Sequence, residues 1–250
     1  MKIIINGIGG RMGTEVARLA SEGMRDARLV CGIDAFSENV TVSGAPCFRT
    51  FSEAEDCIAD IVIDFSHHTV TESLLSYCVS KKLPVVVATT GHDERETELI
   101  RRASEHIPVF FSANMSLGVA LLCELAKTAA KTMPDADIEI IEKHHNRKLD
   151  APSGTALLLA DAISTVRRNA FYVFGRGGQR KREKNEIGIH AIRMGNIVGE
   201  HEVIIGTDTQ TITLKHEAHT RALFAEGAIA AADFLIGKPA GLYSMKDIVK

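Results

Sequence analysis

The chain has 250 residues and carries 29 Lys and Arg against 32 Asp and Glu, a net charge of −3. Its length suits one large domain or two modest ones, and the near balance of charge excludes a dedicated nucleic-acid binder, which carries a strong basic excess. The five scattered cysteines form no CxxC pair and read as free thiols of a reducing compartment, and no apolar run approaches the ~20 residues of a membrane helix, so neither a nucleic-acid nor a membrane partner is expected.

Lys2-Ile3-Ile4-Ile5 opens a strand at once, which leaves no room for a signal peptide and sets the expectation of a cytoplasmic protein. Ile3-Ile4-Ile5, Leu29-Val30, Ile61-Val62-Ile63, Val85-Val86-Val87 and Val109-Phe110-Phe111 are short β-branched or aromatic runs. Such runs suit strands buried on both faces of a parallel sheet. Helical patterns over residues 11–21, 69–80 and 93–105 lie between them. Strand–helix–strand repetition predicts right-handed crossovers and an α/β, Rossmann-type doubly wound parallel sheet, with ligands beyond the carboxyl ends of its strands.

The pattern changes near Asn114. A helix over 117–131 precedes a strand from Asp137 to Ile141, and another helix begins at Ala156. Alternating strands follow over 187–192, 202–205 and 211–214. They predict a second, α+β domain whose mixed or antiparallel sheet has one wet face, ending near Arg221. A last helix over 222–235 stops before Gly237 and Pro239.

Asn6-Gly7-Ile8-Gly9-Gly10-Arg11-Met12-Gly13 follows the first strand and opens the first helix. Its spacing is a G-x-x-G-x-x-G variant of the dinucleotide turn, in which glycines let backbone N–H groups approach a pyrophosphate at a helix N-terminus. A plain tight turn is the alternative. Asp34 closes the second strand about 20 residues beyond the glycines, where a carboxylate accepts ribose hydroxyls. Ala35 and Phe36 follow it instead of an arginine, which tilts the reading toward NADH over NADPH. A strand-end aspartate starting a turn is the alternative there. Thr89-Thr90-Gly91 and Ser112-Ala113-Asn114-Met115 follow the fourth and fifth strands, as nicotinamide contacts or as ordinary turns.

The run from Glu142 to Ala156 packs His144, His145, Arg147 and Lys148 ahead of Ser153-Gly154-Thr155. No metal is expected, because no carboxylate or thiol has helpful spacing and Lys148 repels a cation. Two readings remain: a solvated basic turn, or an anion and proton-transfer site. In the second, neighbouring cations ease proton donation and the helix start clamps a carboxylate. Successive residues at a strand end face opposite ways, so His144 and His145 need not share a role. Residues 176–184 read as a solvated, mobile basic loop, and His190, Arg193, His201, His216 and His219 as structural or exposed.

Together these residues resemble the 4-hydroxy-tetrahydrodipicolinate (dihydrodipicolinate) reductase family. Residues 142–156 match its signature E-x-H-H-x-x-K-x-D-A-P-S-G-T-A, and residues 7–13 match its cofactor turn. Residues 186–193 and Val198-Gly199-Glu200-His201 match strands of its second domain. The resemblance implies a dinucleotide-binding domain of residues 1–114 and 222–250, and a substrate-binding and oligomerisation domain of residues 115–221. It implies NADH or NADPH as cofactor, a cyclic dicarboxylate as substrate, and a homotetramer built through the second sheet. His144 and Lys148 match the proton donors, and His145, Gly154 and Thr155 the substrate contacts. Gly7, Ile8, Gly9, Gly10, Arg11, Met12, Asp34, Ala88, Thr89, Thr90, Ser112, Ala113, Asn114 and Met115 match the nucleotide contacts.

Overall fold

The computed structural model describes residues 1–36 and 41–249. The chain divides into two compact units, Met1–Ser116 with Ala222–Ile248, and Leu117–Arg221.

The first unit begins with β1 (Lys2–Asn6), α1 (Arg11–Ser21), β2 (Arg28–Ile33), β3 (Thr41–Val42), β4 (Ala45–Phe48) and β5 (Ile61–Asp64). It continues with α2 (Thr71–Lys81), β6 (Val85–Val87), α3 (Glu94–Ala103) and β7 (Pro108–Phe111). β1 lies centrally, parallel to β2 on one side and to β5 on the other. The β-branched runs account for this placement: Ile3, Ile4, Ile5, Ile61, Val62, Ile63 and Val85 to Val87 are all fully buried. α2 starts two residues later than the pattern predicts, because a short 3₁₀ turn, His68–Val70, occupies its expected first turn. α3 starts on a reciprocal cap between Asp93 and Glu96.

The second unit holds α4 (Leu117–Thr132), β8 (Asp137–His144), α5 (Gly154–Ser164), β9 (Phe171–Phe174), β10 (Glu186–Arg193), β11 (Gly199–Gly206) and β12 (Thr211–Ala218). Its sheet has the order β12-β11-β8-β10-β9 and is mixed: β8 runs antiparallel to β11 and parallel to β10. α4 and α5 bury one face of it through Leu122, Ala126, Leu159 and Ile163 against Ile138, Ile140, Val203 and Ile205. Charges occupy the other face, where Lys143 lies 3.2 Å from Glu200 and 3.1 Å from Glu202.

β8 runs three residues beyond the predicted strand, so Glu142, Lys143 and His144 belong to the sheet and not to the loop. The two-residue period then puts Glu142 and His144 on the buried side with Ile138 and Ile140, and Lys143 on the wet side. The basic run over 176–184 is an exposed loop, as expected, but its arginines are anchored. Arg176 and Arg180 pair with Glu186, whose side chain is fully buried, and Arg182 pairs with Glu139 and, at 2.8 Å, Asp137. A buried carboxylate needs cationic partners, and this segment supplies them.

α6 (Ala222–Leu235), β13 (Gly241–Tyr243) and α7 (Met245–Ile248) return the chain to the first unit. Its sheet order is β13-β7-β6-β5-β1-β2-β4-β3, parallel throughout except for β3 against β4. A Cβ on Gly227 would lie 1.6 Å from the Met115 carbonyl oxygen, so this glycine lets α6 lie against the segment after β7. No helix among the described residues is long and apolar enough to cross a membrane.

Candidate active site

The first unit gathers the loops that follow β1, β2, β5, β6 and β7. The β1–α1 turn is built from backbone. Gly7 has φ +78°, and a Cβ there would lie 2.5 Å from the Phe65 carbonyl oxygen. A Cβ on Gly13 would lie 2.1 Å from the Gly7 oxygen. Gly10 caps α1 without a side-chain hydrogen bond, so the helix start is left to whatever anion approaches it. Ile8 is fully buried, and a Cβ on Gly32 would meet its side chain at 2.5 Å, so Ile8 serves the core. Asp34 joins the turn to β2: Gly9 N–H donates to its Oδ2 at 2.9 Å and Phe36 N–H to its Oδ1 at 3.0 Å. Carboxylate oxygens keep further lone pairs for ribose hydroxyls.

Beside this turn opens a cleft of about 510 Å³. Of the predicted nucleotide contacts, Arg11, Met12, Ala88, Thr89, Thr90, Ala113 and Met115 line it. Ser112 and Asn114 do not; Ser112 Oγ donates to the Asn114 carbonyl at 2.7 Å and Asn114 Oδ1 accepts from Ser116 N–H at 2.9 Å, which shapes the turn. Phe65, Ser66, His67, His68 and Phe224 also line the cleft and escaped the sequence reading. A buried polar group braces its floor. Asn6 Nδ2 donates to Asp64 Oδ1 at 2.7 Å and Ser66 Oγ donates to the same oxygen at 2.5 Å. Burial pushes the Asp64 carboxyl above its ordinary range, against the hydrogen bonds from Ser66, Thr89 and Asn6. The glycine cradle, open helix start and strand-end carboxylate fit the diphosphate and ribose of a nicotinamide dinucleotide.

The second unit builds its centre from side chains. Glu142 is fully buried at the end of β8. Its Oε2 faces His144 Nδ1 at 2.6 Å and Arg193 Nη1 at 2.7 Å, and its Oε1 accepts from Arg193 Nη2 at 2.7 Å and Ser153 N–H at 2.9 Å. Burial alone would raise the Glu142 carboxyl, but the donors from His144, Arg193 and Ser153 outweigh it and hold the carboxyl at about 2. His201 stands edge-on to His144, with ring centroids 5.2 Å apart, and its Nε2 lies 3.0 Å from Ser153 Oγ. Burial first, then the neighbouring His144, pushes His201 down to about 4, so it stays neutral. Ser153 Oγ also accepts from Ala156 N–H at 3.2 Å and so caps α5. A Cβ on Gly199 would lie 3.1 Å from His144 Nε2, so the glycine keeps that nitrogen clear.

The remaining predicted residues surround this network. His145 leaves the strand, its N–H donating to the Ile197 carbonyl at 2.8 Å. Burial, followed by Arg147 and Arg221, lowers its affinity for a proton. Lys148 Nζ lies 2.7 Å from Asp150, so one cation of the loop is paired within it. Gly154 opens α5 with nothing within 4 Å of where a Cβ would stand, and Thr155 follows it. Glu142, to which the sequence reading gave no role, sits two residues before His144 on the same strand face. Arg193 and His201, read as structural or exposed, are partners of Glu142 and Ser153. The strand period was the available signal for Glu142; nothing local marks Arg193 or His201, which arrive from neighbouring strands.

Two family models cover the chain: "Dihydrodipicolinate reductase, N-terminus" matches residues 1–115 and "Dihydrodipicolinate reductase, C-terminus" matches residues 118–249. The 4-hydroxy-tetrahydrodipicolinate reductase of Caldanaerobacter subterraneus subsp. tengcongensis is 47% identical over 252 residues, covering 100% of this chain and 98% of the relative. That of Clostridium tetani is 46% identical over 98% of this chain and 95% of its own length. Among solved structures, dipicolinate-bound dihydrodipicolinate reductase from Paenisporosarcina sp. TG-14 shares the fold, with a TM-score of 0.82, 23% identity and 99% of each chain covered. Full-length matches on sequence thus agree with the glycine turn, the His144 network and the two sheets, and the chain belongs to the dihydrodipicolinate reductase family.

Proposed function

We propose that this chain reduces 4-hydroxy-tetrahydrodipicolinate to tetrahydrodipicolinate with NADH or NADPH, in the diaminopimelate route to lysine, and that His144 and Lys148 serve the proton step. The observation that carries the reaction is membership of the reductase family across both units. The product lacks the substrate's hydroxyl, so one hydride and one proton enter and one water leaves. The bound nicotinamide dinucleotide supplies the hydride.

The chain's own residues supply the rest. The α1 start and the glycines from Gly7 to Gly13 receive the diphosphate, and Asp34 the adenosine ribose. Ala88 to Thr90 and Ala113 to Met115 shape the nicotinamide end of the cleft. The N-terminus of α5 at Gly154 and Thr155, with His145, receives a substrate carboxylate. His144 commits Nδ1 to Glu142, which leaves Nε2 to carry the proton; the ionised carboxylate steadies the ring in both protonation states. Lys148 is the second donor, held by Asp150. His201, kept neutral, adds no competing charge beside His144.

A homotetramer joined through the five-stranded sheet belongs to the same proposal. The match of residues 118–249 to the family's C-terminal model supports it. A native mass near four times the 27.1 kDa chain is the expected result in light scattering. A cytoplasmic location is supported by the five free cysteines. The test of activity is the absorbance of NADH and, in a second run, of NADPH in a mixture of this protein with the substrate-forming synthase, pyruvate and aspartate semialdehyde. Absorbance falls only in the complete mixture; no fall in either run refutes the reading.

A further inference from the structure

Two residues lining the cleft have no part in the mechanism above. His67 and His68 follow β5 with ring centroids 4.3 Å apart and planes inclined by 36°. Each ring has one nitrogen already committed. His67 Nδ1 lies 2.9 Å from Thr69 Oγ1 and accepts from Thr69 N–H at 3.4 Å, which leaves the neutral ring's proton on Nε2. His68 Nδ1 lies 2.8 and 2.9 Å from the two oxygens of Glu96 and donates to that carboxylate. Glu96 is itself anchored. Its Oε2 accepts from Asp93 N–H at 2.9 Å, and its own N–H donates to Asp93 Oδ1 at 2.7 Å. The hydrogen bond from His68 and that backbone cap hold the Glu96 carboxyl below its ordinary range. A carboxylate fixed behind an imidazole sets the ring's orientation and tautomer, as it does for imidazoles that bind metals.

Neither Nε2 has a protein partner among the described residues. The rest of the wall offers the Arg11 guanidinium and the Thr90 hydroxyl. Such a surface complements an anionic diphosphate flanked by ribose hydroxyls.

We propose that His67 and His68 are dinucleotide-binding residues, His67 donating from Nε2 to the diphosphate and His68 accepting at Nε2 from a ribose hydroxyl, with Glu96 positioning His68. The proposal rests on the assignment of this cleft to NADH or NADPH. It places a side-chain clamp next to the glycine turn, on the segment after Phe65 and Ser66 that packs against Gly7 and in which the sequence offered no nucleotide motif.

The test is the Kd for NADH from its fluorescence on binding to the full chain, with KM and kcat measured beside it. His68→Ala weakens NADH by about tenfold, the upper end for one net hydrogen bond. Glu96→Gln leaves the ring in place but unaimed and weakens NADH by about threefold, and His67→Ala falls between the two. ADP, used as a competitor, loses affinity in parallel. kcat at saturating NADH and KM for the dicarboxylate stay within about twofold of native. His68→Gln, which retains a polar end, recovers most of the affinity. Should His68→Ala lose its native Tm, His68→Gln and Glu96→Gln carry the test. Native affinity for NADH in the folded His67→Ala and His68→Ala chains overturns this proposal alone. A native chain that binds neither NADH nor NADPH overturns the cleft assignment and this proposal with it.

Discussion

The two polar centres are built by opposite means. In the first unit the β1–α1 turn is made by leaving side chains out: Gly7 and Gly13 each stand where a Cβ would meet a carbonyl oxygen. In the second unit Glu142, His144, Arg193, Ser153 and His201 fill a buried space and satisfy one another. An anion receptor needs exposed N–H groups and gains from emptiness, while a proton donor needs a fixed ring and gains from packed partners. A centre of the first kind is damaged by adding atoms, one of the second kind by removing them.

The sharpest separation of the two comes from Lys148→Ala. Turnover drops by about 10²–10⁴-fold, the range for a lost general acid, while NADH affinity is unchanged because every cleft residue lies in the other unit. A matching fall in NADH affinity would merge the two centres into one.

Acid probes the side-chain network next, through two groups of opposite kind. His201 is held at about 4 against an ordinary 6.5, so the unfolded chain binds its proton first as pH falls. Its contribution is intact above pH 6.5, and roughly 3 kcal/mol is lost as pH falls from 6.5 to 4. Glu142 is held at about 2 against 4.5; its contribution is present above 4.5 and roughly 3 kcal/mol disappears as pH falls from there to 2. Denaturant midpoints against pH should therefore fall in both windows, and His201→Phe should flatten only the upper one. An unchanged slope in that variant would remove His201 from the account.

The backbone-built centre answers to Gly13→Ala. Its Cβ would lie 2.1 Å from the Gly7 oxygen, so the turn must shift at a cost of about 1–3 kcal/mol, with loss of NADH binding ahead of loss of fold. Thermal melting and NADH titration of one sample distinguish these. The smallest effect is cofactor choice. Asp34, with no arginine at Ala35 or Phe36, gives NADH an advantage of several-fold in kcat/KM, about 1 kcal/mol, and a strong preference for NADPH would reverse that reading.

The parallel sheet was legible because its strands are buried on both faces, and Ile3-Ile4-Ile5 or Val85-Val86-Val87 says so locally. Helix α6 was legible for a similar reason, its apolar residues ending before Gly237. The short strands β3, β4, β9 and β13 were not, since two to four residues carry too little period to count. The reach of β8 was half legible: Glu142 and His144 continue the alternation of Ile138 and Ile140, but polar residues mask it. The histidine clamp candidates His67 and His68 lay in a loop with no motif.

By itself the sequence determined the glycine turn, the alternation that builds two kinds of sheet, and the signature segment that carries His144 and Lys148. These are local properties, set by sterics and period within a few residues. Tertiary structure alone decided that Arg193 and His201 would meet Glu142 and Ser153, and that Glu96 would stand behind His68. Those partners lie 28 to 51 positions apart along the chain, and only strand register and helix packing bring such residues within hydrogen-bond reach.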